Sequence, residues 1–166
     1  MTFRTQLEKF NSNLWTFHFA VPDEAAVPFL GNKSRRVICK INEKIEFQCA
    51  LMPKGDGSFF INLNKKHRDT LGCSLGDPLT AELRADESEY GLPMPDELRE
   101  IFKLDDEASH LFHALTPGKQ RTLLHIISTV KNSDLRISRA LTVIDHLRRN
   151  HGKIDFKKLG EAFKNN

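Results

Sequence analysis

The sequence predicts an α+β chain in which a β-rich domain over residues 1–88 precedes a small helical domain over residues 93–166. Three observations predict it. Before residue 88 apolar and polar residues alternate in several short runs, the period of a half-buried strand. From Tyr90 onward the apolar period becomes that of amphipathic helices. The charge balance shifts at the same place: residues 1–88 carry 12 Lys and Arg against 11 Asp and Glu, residues 89–107 carry 2 against 7, and residues 108–166 carry 11 against 4. A chain of 166 residues with 39% hydrophobic content can bury one substantial core or two small ones and does not have the composition of a disordered chain.

The first strand is expected around "NLWTFHFAVP", with Trp15, Phe17 and Phe19 on one face. Residues 22–34 read as a loop. In "RRVICKINEKIEFQCAL", Val37, Cys39 and Ile41 alternate with polar neighbours, and Ile45, Phe47, Cys49 and Leu51 do the same beyond "NEK". A three-residue loop at Asn42 to Lys44 pairs Ile41 with Ile45 and Cys39 with Phe47, so both apolar sets face one side; a two-residue loop would break that match. "PKGDGS" is dense in turn formers. After it come a strand with Phe59, Ile61 and Leu63 toward the core, a short helix "NKKHRDTLG" capped by Asn64 and Gly72, and a final strand in "PLTAELRAD".

The helical half is punctuated by its caps. "LPMPDELREIF" places Pro95 at a first helical position with Asp96 and Glu97 in the first turn, where negative charge opposes the positive helix end. Asp105, Asp106 and Glu107 suit the first turn of another helix. "TPGKQRTLLHIISTVK" starts on Thr116-Pro117, with Leu123, Leu124, Ile127 and Val130 as one stripe. Ser133 is the expected cap of "DLRISRALTVIDHLRRN", whose stripe is Ile137, Ala140, Leu141, Ile144 and Leu147. A last short helix follows from Asp155 as N-cap, with Ile154 and Leu159 spaced as a hydrophobic staple.

Composition narrows the class of function. No apolar run approaches the roughly 20 residues a membrane helix needs, and "MTFRTQLEKFNSNLWTF" lacks the features of a secretory signal, so a cytoplasmic protein without membrane insertion is expected. Cys39, Cys49 and Cys73 have no CxxC spacing and sit in apolar patterns, which suits reduced core thiols. His110 and His113 stand three apart on a helical pattern, a spacing that can place two imidazoles on one metal, but no third ligand is evident and no metal is expected. No phosphate loop, dinucleotide fingerprint or nucleophile elbow occurs. We therefore expect no catalytic residues, no cofactor and no enzyme.

From about Trp15 to Asp86 the chain resembles an uncharacterised bacterial domain family, through "VPDEAAVPFLGNKSRRVICKINEKIEFQCALMPKGDGSFFINLNKKHRDTLGCSLGDPLTAELRAD". From about 93 to 150, "PDEL" and "FHALTPGKQRTLLHIISTVKNSDLRISRAL" resemble the bacteriocin-protection, YdeI/OmpD-associated helical domain that commonly follows it. "GSFFINLNKKHRDTLGCSLGDPLTAEL" is also similar to the DNA-binding element of AbrB and MazE, although Ser58 and Asn64 stand where that element has Arg and Pro. Together these resemblances imply a small double-split, AbrB-like β-barrel closed within one chain and followed by a helical domain. They imply a link to stress or cationic antimicrobial peptide tolerance, and no established chemistry.

Two basic clusters are candidate binding sites. Lys131, Arg136 and Arg139 surround the start of a helix, where free amides favour anions; they suit a small anionic ligand or an acidic protein partner. The alternative is that Arg136 and Arg139 pair with the acidic run at 96–107 and clamp the two domains. Lys65, Lys66 and Arg68, with His67, would be the DNA contacts of an AbrB-like regulator, or else the solvated face of a short helix. The expected state is a monomer or weak homodimer.

Overall fold

A computed structural model describes residues 1–11, 17–31 and 35–164. The chain divides into two compact units, Met1–Glu87 and Ser88–Asn166, and is α+β with the sheets first.

The first unit contains β1 (Thr2–Gln6), β2 (Glu8–Lys9), β3 (Phe17–Val21), α1 (Asp23–Leu30), β4 (Arg36–Ile41), β5 (Ile45–Ala50), β6 (Met52–Pro53), β7 (Phe59–Asn62), α2 (Lys65–Leu71) and β8 (Pro78–Ala85). The strands form two four-stranded sheets, ordered β1-β8-β4-β5 and β2-β3-β7-β6, with every pairing antiparallel. Among the described residues no ladder runs from one sheet into the other. The chain passes between them four times, twice along segments that contain α1 and α2 and twice through a single buried residue: Leu7 separates β1 from β2, and Leu51 separates β5 from β6.

The hairpin register is the one read from the sequence, with Ile41 opposite Ile45 and Cys39 opposite Phe47. Its loop works because Asn42 and Glu43 adopt φ of 49° and 56°, a left-handed conformation that Asn tolerates through local hydrogen bonding. Asn42 Oδ1 accepts from the Thr80 amide at 2.8 Å, which ties the turn to β8. Val37, Cys39 and Ile41 of β4 join Phe19 and Val21 of β3, Ile61 of β7 and Leu79, Ala81 and Leu83 of β8 in one core. Each fully buried Leu, Ile or Phe contributes about 1.5–3 kcal/mol.

Several elements differ from expectation. The segment read as a loop from residue 22 contains α1, an eight-residue helix that buries Ala25, Ala26 and Phe29; two small residues make its stripe too weak to read. The N-terminal strands β1 and β2 were also missed: Thr2–Gln6 is mostly polar and pairs with β8 through its backbone. Trp15 lies outside the described residues. In β7, Ile61 and Leu63 face the core as expected, but Phe60 is buried too, on the opposite face.

The second unit contains α3 (Asp96–Leu104), α4 (Asp106–His113), α5 (Pro117–Ser128), α6 (Ser133–Arg149) and α7 (Phe156–Ala162). Its core gathers Leu98, Ala108, Phe112, Leu123, Leu124, Ile127, Ala140, Val143, Ile144, Leu147 and Leu159. α3 begins at Asp96, one residue later than expected, with Pro95 at the position before its first turn. Asp105 caps α4 by accepting from Ala108 N at 3.0 Å, and Asp155 caps α7. Asn132, not Ser133, caps α6, its Oδ1 accepting from Leu135 N at 3.0 Å. The α6 stripe is rotated from the one expected: Ala140, Val143, Ile144 and Leu147 are buried, whereas Ile137 and Leu141 keep 39% and 51% of their surface exposed.

Candidate functional site

The basic cluster at the α5–α6 turn is largely occupied by the unit's own groups. Because Asn132 takes the capping role, the Ser133 hydroxyl is free to turn outward, and its Oγ donates to Glu97 Oε1 at 2.7 Å. The same oxygen accepts from Arg136 Nε at 2.8 Å and lies 2.7 Å from Arg136 Nη2. Arg136 Nη1 meanwhile donates to the Lys131 carbonyl at 2.8 Å. These donors, the Arg136 guanidinium first and the Ser133 hydroxyl second, hold the Glu97 carboxyl down at about 2.

Arg139 is committed as well: its Nη1 donates to the Ile126 carbonyl at 2.7 Å and to Thr129 Oγ1 at 2.8 Å. Its guanidinium lies 5.6 Å from the Phe163 ring centroid. Lys131 is exposed. The structure therefore brings Arg136 and Arg139 to the same turn, and the acid that meets Arg136 comes from α3 of the same helical unit. Arg148 follows the same rule, pairing with Glu107 at 2.8 Å and with Asp105 in the first turn region of α4.

Beside this corner lies a cleft of about 550 Å³, lined by Leu92, Pro93, Met94, Pro95, Asp96, Glu97, Arg99, His125, Ser128 and Arg136. The segment Leu92–Pro95 supplies an apolar wall, since its two prolines cannot continue a helix and hold it extended before α3. Arg99 from α3 and His125 and Ser128 from α5 supply exposed polar groups. Charged and apolar groups thus converge on one concavity, the usual composition of a ligand site. Sequence reasoning missed Arg99, His125 and Ser128. No motif marks them, but His125 and Ser128 stand three apart, which places them on one face of α5. A second, broader groove of about 990 Å³ follows α6 and α7 and is lined in part by Ile137, Leu141, Asp145 and Lys158.

Residues 3–83 match the family described as Domain of unknown function (DUF1905), and residues 92–150 match the family described as Bacteriocin-protection, YdeI or OmpD-Associated. The chain joins a DUF1905 domain to a YdeI/OmpD-associated domain. This is the two-domain order the sequence resembled. No curated protein and no solved structure matches the chain.

In the DUF1905 domain the basic residues considered for DNA are mostly engaged. Lys65 Nζ donates to Asp69 Oδ2 at 2.7 Å. Arg68 donates to the Leu63 carbonyl at 2.9 Å and places its guanidinium over Phe17, 3.8 Å from the ring centroid. Lys66 is exposed. The helix itself is built as expected, with Asn64 Oδ1 accepting from His67 N at 2.8 Å and Gly72 at φ 66°. His67 packs on Phe47, ring centroids 4.2 Å apart, and burial, followed by the Lys66 charge, lowers its pKa. Neither family is described as DNA-binding.

In the YdeI/OmpD-associated domain His113 has both ring nitrogens engaged. Its Nδ1 lies 2.7 Å from the Ser109 carbonyl and its Nε2 lies 2.7 Å from the Tyr90 hydroxyl. Nδ1 is therefore the donor to the Ser109 carbonyl, and Nε2 is held against the Tyr90 hydroxyl. Burial, followed by Glu89, pushes the Tyr90 phenol up to about 12, so it is a proton holder and not a base. Among the described residues no group of His, Cys, Asp and Glu is placed to hold a metal ion, and no helix is long and apolar enough to cross a membrane.

Proposed function

We propose that this is a cytoplasmic, non-enzymatic binding protein linked to tolerance of stress or of cationic antimicrobial peptides. Its YdeI/OmpD-associated domain would take a ligand bearing an anionic group in the cleft between Leu92–Pro95, α3 and α5. The observation that carries this reading is the pairing in that cleft of an apolar wall with the exposed Arg99 guanidinium, the His125 imidazole and the Ser128 hydroxyl. The link to peptide tolerance rests on the family's description. The free thiols of Cys39, Cys49 and Cys73 fit a reducing compartment.

The barrel closed within one chain is part of the same proposal. What supports it is the circuit of the sheet edges: β1 runs on into β2 through Leu7, and β5 runs on into β6 through Leu51. Counting each pair as one bent strand joins both edges of the first sheet to both edges of the second. The Thr5 hydroxyl on β1 also donates to the Ala20 carbonyl on β3 at 3.0 Å.

The test is a thermal-shift titration with acetate, phosphate and a glutamate-rich peptide. A ligand that binds only the folded state stabilises it by about 2.7 kcal/mol at one hundred times its Kd. Stabilisation by at least one of the three, lost in a double variant with Arg99→Ala and His125→Ala, is expected. A flat response to all three, or a response unchanged in the double variant, would refute the site.

A further inference from the structure

His18 of β3 is 1% exposed and lies outside both binding sites considered above. It occupies the face of the second sheet opposite Phe19 and Val21, so it is not part of the main core. Its ring stacks on Phe10 with centroids 3.5 Å apart and planes 6° apart, and meets the edge of Phe60 at 5.3 Å. Across the β2–β3 pairing Glu8 stands directly opposite, and its Oε2 lies 3.3 Å from His18 Nε2. Lys54, just beyond β6, brings its ammonium 3.8 Å from the same carboxylate oxygen and 5.5 Å from the Phe10 centroid. Asn62 is the neighbour across β7. Neither ring nitrogen of His18 has a hydrogen-bond partner among the described residues.

We propose that Glu8, His18 and Lys54 form an acid-sensitive latch, which holds β2 and Phe10 against the second sheet while His18 is neutral and releases them when it gains a proton. A neutral imidazole carries a single N–H; Glu8 Oε2 lies 3.3 Å from Nε2 without hydrogen-bond alignment, so the neutral ring already strands one buried polar group and protonation strands a second. A protonated ring carries a second N–H at Nδ1, which faces no acceptor among the described residues, and an unsatisfied buried donor is costly. Glu8 and the face of Phe10 attract the added charge; burial and the Lys54 ammonium oppose it. Burial is the largest of these effects and depresses the His18 pKa below its ordinary value.

The direction of the switch follows. A histidine that is harder to protonate when folded stabilises the latched form fully above its ordinary value near 6.5. That stability is lost as pH falls from there through the folded-state midpoint. Between those two pH values opening of the latch rises about tenfold per pH unit, and below the midpoint it levels off.

The experiment is an NMR titration of the full chain from pH 7.5 to 4.5. It follows the His18 ring together with hydrogen exchange of the Glu8, Lys9 and Phe17–Ala20 amides. His18 is expected to titrate below 6.5, with amide protection falling over the interval just above that midpoint and remaining flat in a His18→Phe variant. Lys54→Met should raise the midpoint and Glu8→Gln lower it, and this pair decides the matter if His18→Phe fails to fold. A ring that titrates at or above 6.5, protection that does not change with pH, or midpoints in the two variants that fail to move in opposite directions would overturn the latch.

Discussion

Arg139 separates a structural cation from a binding one. Its Nη1 closes the end of α5 by donating to the Ile126 carbonyl and the Thr129 hydroxyl, and its guanidinium rests near Phe163. A hydrogen bond from a charged donor contributes about 1.5–3 kcal/mol, but Arg139 is only half-buried and Ile126 O also accepts from Thr129 Oγ1 at 2.8 Å. Discounting for solvent screening leaves about 1 kcal/mol, and the half-buried ring contact adds about 0.5 kcal/mol. Arg139→Ala should therefore cost the helical unit about 1–1.5 kcal/mol, and each kcal/mol lowers Tm by about 4–8 °C in a unit of this size. Lys131→Ala, a substitution of an exposed side chain, should stay within about 0.5 kcal/mol of the parent. Calorimetry and urea unfolding of both variants measure the difference. Equal stabilities, with anion binding lost in Arg139→Ala, would refute the structural assignment.

Two further outcomes are expected. Asn64→Ala removes the acceptor of the His67 amide at the start of α2 and should destabilise the β-unit by about 1 kcal/mol, seen as a lower urea midpoint at unchanged slope. The helical unit should lose stability in acid: Glu97, held at about 2 by Arg136 and Ser133, and Asp105 and Asp155, lowered first by the Ala108 and Lys158 amides respectively, are all more acidic folded than unfolded. Their contribution is complete above the unfolded value, 4.5 for a Glu, and disappears as pH falls toward about 2. Circular dichroism melts from pH 6 to 2 should show this fall, reduced in Glu97→Gln; a Tm independent of pH across that range would count against it.

Much of the fold was legible because its signals are local. The β4–β5 register follows from apolar alternation and a three-residue loop, and Asn64, Gly72 and Asp155 are caps whose chemistry is contained within a few residues. What was not legible depends on distant neighbours. β1 is a strand because β8 offers it a backbone edge, not because its own pattern is apolar. The burial of Phe60 depends on Phe10 and His18 covering the second face of its sheet. Ser133 and Asn132 are adjacent and both are good caps, and the choice between them is tied to Glu97, 36 residues from Ser133, which takes the serine hydroxyl.

The partners of the cations at the α5–α6 turn were not legible for the same reason. A cluster of cations at a helix start is a binding site only if its donors are unspent, and charge counts do not record spending. Residues 108–166 carry 11 Lys and Arg against 4 Asp and Glu, yet four of the five arginines there, Arg136, Arg139, Arg148 and Arg149, already meet carboxylates or carbonyls of their own unit. The acidic stretch before residue 108 supplies several of those partners, so the opposite charges of the two stretches largely describe how the helices hold one another. Capacity for an external anion must come from cations left outside that network. Arg99 meets that condition beside an apolar wall, with the exposed His125 and Ser128 next to it, which is the ground for proposing an anion site in the cleft and not at the more basic turn beside it.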